Sequence, residues 1–390
     1  MNEFMQAYRK LVVLNRRIHD IAPRFISTYI NKPYIAEFNE YLNGRTVRRA
    51  IIVSPLIHGC QHRRATGGCF YCGEAYGIGV TPRVLYLKAI EKILSYLKER
   101  KIEWINWYVE GSNLNPAEVP KDLLSKVLHL FSSVDSVRYI TIESRAEYAV
   151  QNEILEELSN VKEDVGVEIE VGVGIETRDD FKRIYLLNKG MNYTWNLIIR
   201  AIKKLKEYKL RTLGYVLLKP PFLTEKESID DAVVTIREAL KRGADTISLE
   251  IMSIHEFTLL EYLHLKGIYR LPWLYSVFDV MNTVKSREIR IGGEPPTYYP
   301  PSKIHAHNMD ERSTAEMWKR IREYNMTHNL DTLYIDPSWE DYDTWREYLM
   351  SEDNKISLRD RAIKVAKDLN MEEYLTLKFW KGEKNGFLRA

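Results

Sequence analysis

Three cysteines carry the most chemistry in this chain, and they share one stretch: Cys60, Cys69 and Cys72 within SPLIHGCQHRRATGGCFYCGEAYGIG. They are the only three in 390 residues. An odd count cannot close into a disulfide framework, and clustered free thiols suit a reducing compartment. The spacing is C-x8-C-x2-C. Three thiolates on an iron–sulfur cluster leave one iron open to an outside ligand. Gly67, Gly68 and Gly73 let the backbone wrap closely around such a group. A structural zinc with His58 or His62 as fourth ligand is the alternative. The Cys69–Cys72 pair is zinc-like, but a second close pair is missing. Tyr71, just before the last cysteine, suits core packing or stacking on an adenine ring.

The elements that position this loop follow from hydrophobic patterning. RRAIIVSP (48–55) reads as the first strand, and the cysteines come directly after it. WINWYVE (104–110), VRYITIES (137–144), VEIEVGVGIE (167–176), TLGYVLLK (212–219), DTISLEIM (245–252) and IRIGGEP (289–295) read as further strands. Helix-length segments separate them at 82–100, 118–132, 147–159, 193–208, 224–242 and 255–266. Strand alternating with helix at this spacing predicts βαβ units and a right-handedly wound parallel sheet. Ligands of such barrels gather at the C-terminal ends of the strands. The fold class is therefore α/β, a partial (βα)6 TIM-like barrel over residues 46–296. A helical, basic N-terminal extension (1–45) precedes it. There Arg9, Lys10, Arg16, Arg17 and Arg24 interleave with Tyr8, Leu11, Leu14 and Ile18, as an amphipathic cap or an RNA-contacting face. The Pro-rich TYYPPSK (297–303) marks the start of a C-terminal extension, 297–390. In it, 311–330 reads as helix, DPSWEDYDTWREYL is acidic and aromatic, and the tail is basic.

Composition narrows the class. With 45% hydrophobic and 28% charged residues the chain is neither disordered nor collagenous. No apolar run approaches the roughly 20 residues of a membrane span, and the N-terminal stretch lacks a secretory pattern. A cytoplasmic location without a membrane partner is expected. The net charge of +3 neither demands nor forbids nucleic acid.

The strand ends carry polar residues that a plain core would not need. Gly111 and Ser112 lie in a turn whose carbonyls suit an ammonium group. Glu143 and Arg145 together suit the two ends of a zwitterion, or form a local ion pair at a helix start. Glu176 can accept both hydroxyls of a ribose, or belong to a solvated turn with Arg178. Lys219 precedes a rigid Pro-Pro turn and is expected to face the barrel mouth toward an anionic partner. Thr224 is expected to cap the next helix. Glu250, beside Met252, reads as a functional acid at the barrel mouth or as a satisfied structural one. His305, His307 and Asn308 read as substrate contacts or as a polar closing loop.

A three-cysteine loop after the first strand, with an aromatic before the last cysteine, resembles the radical SAM superfamily. The long first spacing and the string CQHRRATGGCFYC are similar to its Elp3-like branch. EGSNLNPAEVP, ESRAEY, GIETRDD, NKGMNYTW, LLKPPFLTEKESIDDA and YRLPWLYSV follow in the order seen in archaeosine biosynthesis radical SAM proteins. This resemblance spans about residues 48–310, with the cysteine loop and LKPPFLTE its most specific parts. It implies a 4Fe–4S cluster on Cys60, Cys69 and Cys72. It implies S-adenosyl-L-methionine (SAM) held by Tyr71, Gly111, Ser112, Glu143, Arg145 and Glu176. Substrate is expected near Lys219, Glu250, His305, His307 and Asn308. The implied substrate is tRNA carrying a lysine-modified 7-deazaguanine in the D-arm. Cleavage of a carbon–nitrogen bond in its lysine moiety would leave archaeosine. The implied partners are the lysine-transferring archaeosine synthase subunit and a ferredoxin-like electron donor.

One departure is visible. In this family a histidine–asparagine pair near the end of the barrel is followed by cysteines. Here Met309 and Asp310 follow His307-Asn308, so an auxiliary metal or thiol role there has no thiol to rest on. Two other readings compete. One is a different Elp3-like tRNA modifier, against which stands the missing acetyltransferase-sized C-terminal domain. The other is a zinc-stabilised RNA-binding protein without catalysis. No residue is singled out as a proton donor or acceptor.

Overall fold

The computed structural model describes residues 2–22, 33–54, 59–73, 83–293, 304–351 and 355–380. Its centre is one sheet of eight strands in sequence order: β1 (Tyr34–Leu42), β2 (Arg45–Val53), β3 (Trp104–Tyr108), β4 (Tyr139–Ser144), β5 (Glu168–Glu176), β6 (Arg211–Leu218), β7 (Thr246–Ile251) and β8 (Ile289–Gly292). β1 and β2 form an antiparallel hairpin, and every later pairing is parallel. The sheet curls into a half-barrel.

Thirteen α-helices accompany it among the described residues: α1 (Asn2–Asp20), α2 (Gln61–Thr66), α3 (Arg83–Glu99), α4 (Lys121–Ser132), α5 (Asn152–Val165), α6 (Trp195–Glu207), α7 (Glu225–Lys241), α8 (Leu259–Leu265), α9 (Leu274–Val284), α10 (Glu311–Thr327), α11 (Tyr342–Ser351), α12 (Leu358–Asp368) and α13 (Met371–Trp380). None is long and apolar enough to cross a membrane.

The period of two along each strand separates two environments. Ile52, Ile105, Ile140, Ile169, Val216, Ile247 and Ile289 face the outer helices and pack with Leu97, Leu128, Leu155, Ile202 and Ile236. The alternate positions, Arg49, Asn106, Thr141, Glu170, Ser248 and Arg290, are polar yet buried. A closed barrel of this size fills its interior with branched apolar side chains. A polar, buried concave face instead marks a lumen built to hold polar groups.

The seven strands expected from sequence correspond to β2 through β8. The N-terminal expectation needs correction: helix covers Asn2–Asp20, whereas Tyr34–Leu42 is a strand. YIAEFNEYL has strand-forming residues in alternation. Asn43-Gly44, both at positive φ, supply the two-residue turn that folds it back on β2. α1 is a cap: Phe4, Leu11, Leu14 and Ile18 join Val365, Ala366, Leu260 and Leu263 in a second apolar cluster.

The C-terminal elements close the open side. Tyr324 of α10 donates to the Ile289 carbonyl at 2.7 Å, and Asn325 bonds both backbone groups of Ile291. Met326 accepts from Thr46 on β2 at 2.8 Å. α10 thus spans the gap between the two edges of the sheet. The expected boundary at 297–303 lies outside the described residues.

Candidate functional site

The cysteine loop is held by hydrogen bonds from three directions. Cys60 precedes α2, and Gly67 ends that helix in the left-handed region at φ 89°. Buried Asn15 of α1 donates to the Gly67 carbonyl at 2.8 Å and accepts from the Leu259 amide at 2.9 Å. Asn188 donates to the Gly68 carbonyl at 2.7 Å. Phe70 is fully buried, its amide bonded to Leu187 and its carbonyl to Leu260. The Gly73 amide donates to His255 Nδ1 at 3.0 Å.

Gly111 comes against Cys60. A Cβ added there would lie 3.7 Å from the Cys60 Cα and would run into the Glu118 carboxylate. Glu118 joins the two loops: Oε1 accepts from the Gln61 amide at 2.8 Å and Oε2 from the Ser112 amide at 2.5 Å. Burial raises its carboxyl above the ordinary value, although these amides favour the charged form. Ser112 is buried, and its hydroxyl lies 3.1 Å from that of Ser144, which ties the ends of β3 and β4.

The next side chains form a compact charge network. Arg145 pairs with Glu147 at 2.5 Å, donates to the Lys189 carbonyl at 2.6 Å and lies over the Tyr193 ring. Lys189 is buried and pairs with Glu176 at 2.6 Å. Glu176 closes β5 at φ 63°, and burial first, then the Glu176 charge, raise the Tyr71 hydroxyl well above its ordinary value. Glu110 and Lys219 also end strands at positive φ, 56° and 65°. Such backbone strain collects where side chains must be aimed at a site.

Both cations act on the thiols. Burial pushes the Cys69 thiol up, and Lys189 and Arg145 draw it down. Cys60 is pushed up to about 11 by burial, Glu118 and Cys69. A buried lysine and a half-buried arginine beside clustered thiols favour an anionic group there. None of the three cysteines is in a disulfide. Among the described residues, no three His, Cys, Asp or Glu side chains converge tightly enough for one metal ion. A cubane takes each thiolate on a different iron, so its ligands stand further apart. His62 points its Nε2 at the Asn188 carbonyl, 2.6 Å away, and burial lowers its pKa to about 3. His58 lies outside the described residues. The donor set therefore fits an iron–sulfur cluster.

The remaining expected residues fall elsewhere. Glu143 does not pair with Arg145, whose partner is Glu147; its charge acts on Tyr108 and Tyr215 inside the half-barrel. Lys219 has an anionic partner, but it is Glu225 of the same chain at 2.5 Å, both groups buried. Asn308 serves the fold. It is buried, accepts from the Leu274 amide at 2.9 Å and donates to Ser313 at 3.1 Å. His305 is half-buried and His307 exposed on the same segment, and the His307 ring meets the His305 carbonyl at 3.1 Å. Glu250 faces the lumen between β7 and α10. Thr224 caps α7 in a full capping box with Glu227.

Sequence reasoning passed over Asn15, Glu118, Asn188 and Lys189. The last two stand in the string NKGMNYTW, but they follow a single π-helical turn (Lys182–Leu186) rather than a strand, so strand-end logic does not reach them.

Residues 54–233 match the radical SAM superfamily. The chain is 30% identical over 297 residues to archaeosine synthase subunit beta of Thermococcus kodakarensis, covering 74% of this chain and 87% of that one. It is 28% identical over 299 residues to archaeosine synthase subunit beta of Methanosarcina acetivorans, covering 76% and 83%. Among solved structures, an N-terminally deleted Elp3 from Methanocaldococcus infernus superposes with a TM-score of 0.45 at 13% identity, over 63% of this chain and 59% of that one.

Proposed function

The chain belongs to the radical SAM superfamily, among the relatives of the archaeosine synthase beta subunits, and from that premise we propose that it cleaves a carbon–nitrogen bond in a lysine-modified 7-deazaguanine of the tRNA D-arm to give archaeosine. Proteins of this superfamily use a 4Fe–4S cluster and SAM, and the thiol–cation arrangement here fits them. Bound together, the two supply hydrogen abstraction from an unactivated carbon; the protein supplies binding, orientation and exclusion of water.

In this reading Cys60, Cys69 and Cys72 hold the cluster. Lys189 and Arg145 offset its negative charge. The Gly111–Ser112 turn, kept open by the absence of a side chain at Gly111, offers carbonyls to the SAM amine. Arg145 orients the SAM carboxylate, and Tyr71 and Glu176 meet the adenosine end. Burial of Lys189 and Glu176 helps to keep water from the reacting centre.

The lysine-transferring subunit is the proposed partner, a ferredoxin-like protein the electron donor and the cytoplasm the location. With a net charge of only +3, the partner is expected to supply much of the phosphate grip. The observation that carries this reading is the cysteine triad at the head of the parallel sheet, with Lys189 and Arg145 against it, in a chain that covers most of a named beta subunit. Nucleoside analysis of tRNA from a strain lacking the protein tests it. Archaeosine should vanish and the lysine-bearing precursor accumulate; intact archaeosine would reject the reading.

A further inference from the structure

Beneath the cysteine rim, a cavity of about 500 Å³ lies between the β1–β2 hairpin, the inner faces of β3 and β6 through β8, and α10. That is the size of a small-molecule site. Arg290 of β8 lines it and is 7% exposed. Its charge is balanced without being bonded. Glu170 Oε2 is 3.7 Å from the guanidinium and Glu40 Oε1 is 4.0 Å away. The Arg290 Nη2 has no hydrogen-bond partner among the described residues.

The neighbouring acceptors are already engaged. Glu170 Oε1 accepts from Tyr139 at 3.1 Å and Thr246 at 2.8 Å, and Oε2 from Thr141 at 3.0 Å. Glu40 takes Arg49, which also bonds Asn106 at 2.8 Å. Both guanidinium groups lie over the Trp104 ring, at 4.5 and 5.0 Å, which fixes them in place. A buried guanidinium with an unbonded donor is costly unless an acceptor comes to it.

The walls select the kind of acceptor. Four carboxylates (Glu37, Glu40, Glu250 and Glu323) and four cations (Arg49, Arg290, Lys319 and Arg322) line the same cavity, so its walls suit a ligand that carries both signs. Glu250 sits on β7, directly paired with Gly292 of β8. Ser248 donates to its Oε1 at 2.6 Å, and an added Cβ at Gly292 would run into both carboxylate oxygens. Glycine there gives Glu250 the room to face the lumen. A half-buried anion and a buried cation on adjacent strands complement a zwitterion. Tyr108 and Tyr215, hydroxyls 3.4 Å apart, also line the space and feel the charge of Glu143, so the cavity extends from α10 toward the rim.

We propose that this cavity receives the free amino-acid end of the substrate, with its carboxylate on Arg290 and its ammonium on Glu250. The assignment rests on the reading above that the substrate carries a lysine moiety. It makes Arg290 and Glu250 specificity-determining residues and leaves the rim to the cofactors.

Saturation-transfer NMR on the full chain tests it with three probes: L-lysine, lysinamide, which lacks the carboxylate, and 6-aminohexanoate, which lacks the α-amino group. L-lysine is expected to bind about tenfold tighter than either analogue, the worth of one charge-assisted hydrogen bond. Arg290→Gln should erase the preference over lysinamide, and Glu250→Gln the preference over 6-aminohexanoate. Gly292→Ala, which crowds Glu250 without removing a charge, should weaken lysine and lysinamide alike and serves if Arg290→Gln does not fold. Equal binding of the three probes, no binding of lysine, or an unchanged preference in the variants overturns the proposal. Conversion of lysine-bearing tRNA is scored separately. Its failure with the lysine preference intact rejects the proposed reaction and leaves the pocket standing.

Discussion

The two halves of the half-barrel rim use the same residue types for different ends. At the ends of β3 to β5, charges close around the cysteine loop: buried Lys189 on Glu176, half-buried Arg145 over Tyr193, buried Glu118 between Gln61 and Ser112. At the end of β6, Lys219 and Glu225 form an equally buried pair. Glu225 there accepts from the Trp273 amide at 2.8 Å and from Ser276 at 2.6 Å. The first half aims charge at thiols, and the second spends it on joining α7 to α9. What separates them is the destination of each hydrogen bond, which residue type and strand position do not encode.

Variants on the two sides should therefore separate. Replacing all three cysteines by alanine is the largest expected effect: loss of the brown chromophore and of all 5′-deoxyadenosine formation after anaerobic reconstitution. A retained chromophore would reject the ligand assignment. Lys189→Met and Lys219→Met each strand a buried carboxylate and should each cost about 3–5 kcal/mol in denaturant unfolding. Only Lys189→Met should also alter the cluster spectrum. Equal spectral changes in both would erase the distinction between the halves. Asn308→Ala leaves the Leu274 amide without its acceptor and should cost about 1–3 kcal/mol of stability with an unchanged KM for tRNA. A raised KM would show that Asn308 also meets the substrate.

The smallest effect belongs to the α7 cap. Thr224→Ala should cost about 1 kcal/mol. It should also flatten part of the acid dependence of stability. Burial by itself would raise the Glu227 carboxyl, but Arg361 and the Thr224 contacts hold it below its ordinary value. A carboxyl lowered in the folded state contributes stability above its unfolded pKa and loses it as pH falls through the folded value. Melting curves across that acid range should differ less in Thr224→Ala than in the parent.

The cysteine loop was legible because its chemistry is written in spacing alone, and β2 to β8 because strand and helix alternate regularly. β1 was missed where a basic helical start coloured the reading of the residues after it, although the Asn43-Gly44 turn was there to be read. Lys189 was missed because it reaches the thiols from the loop after a π-helical turn. Arg290 was passed over because a single arginine in IRIGGEP looks like a strand with one exposed residue. Its burial beside Glu40 and Glu170 depends on how far the sheet curls, which pairs no neighbours in sequence.

The most direct measurement is incubation of the reconstituted protein, with SAM, a reductant and the lysine-transferring subunit's product tRNA, followed by mass analysis of the nucleosides. The account predicts archaeosine and 5′-deoxyadenosine appearing together, both absent without the three cysteines. Formation of 5′-deoxyadenosine with the lysine-bearing nucleoside left untouched, at saturating tRNA, would contradict it.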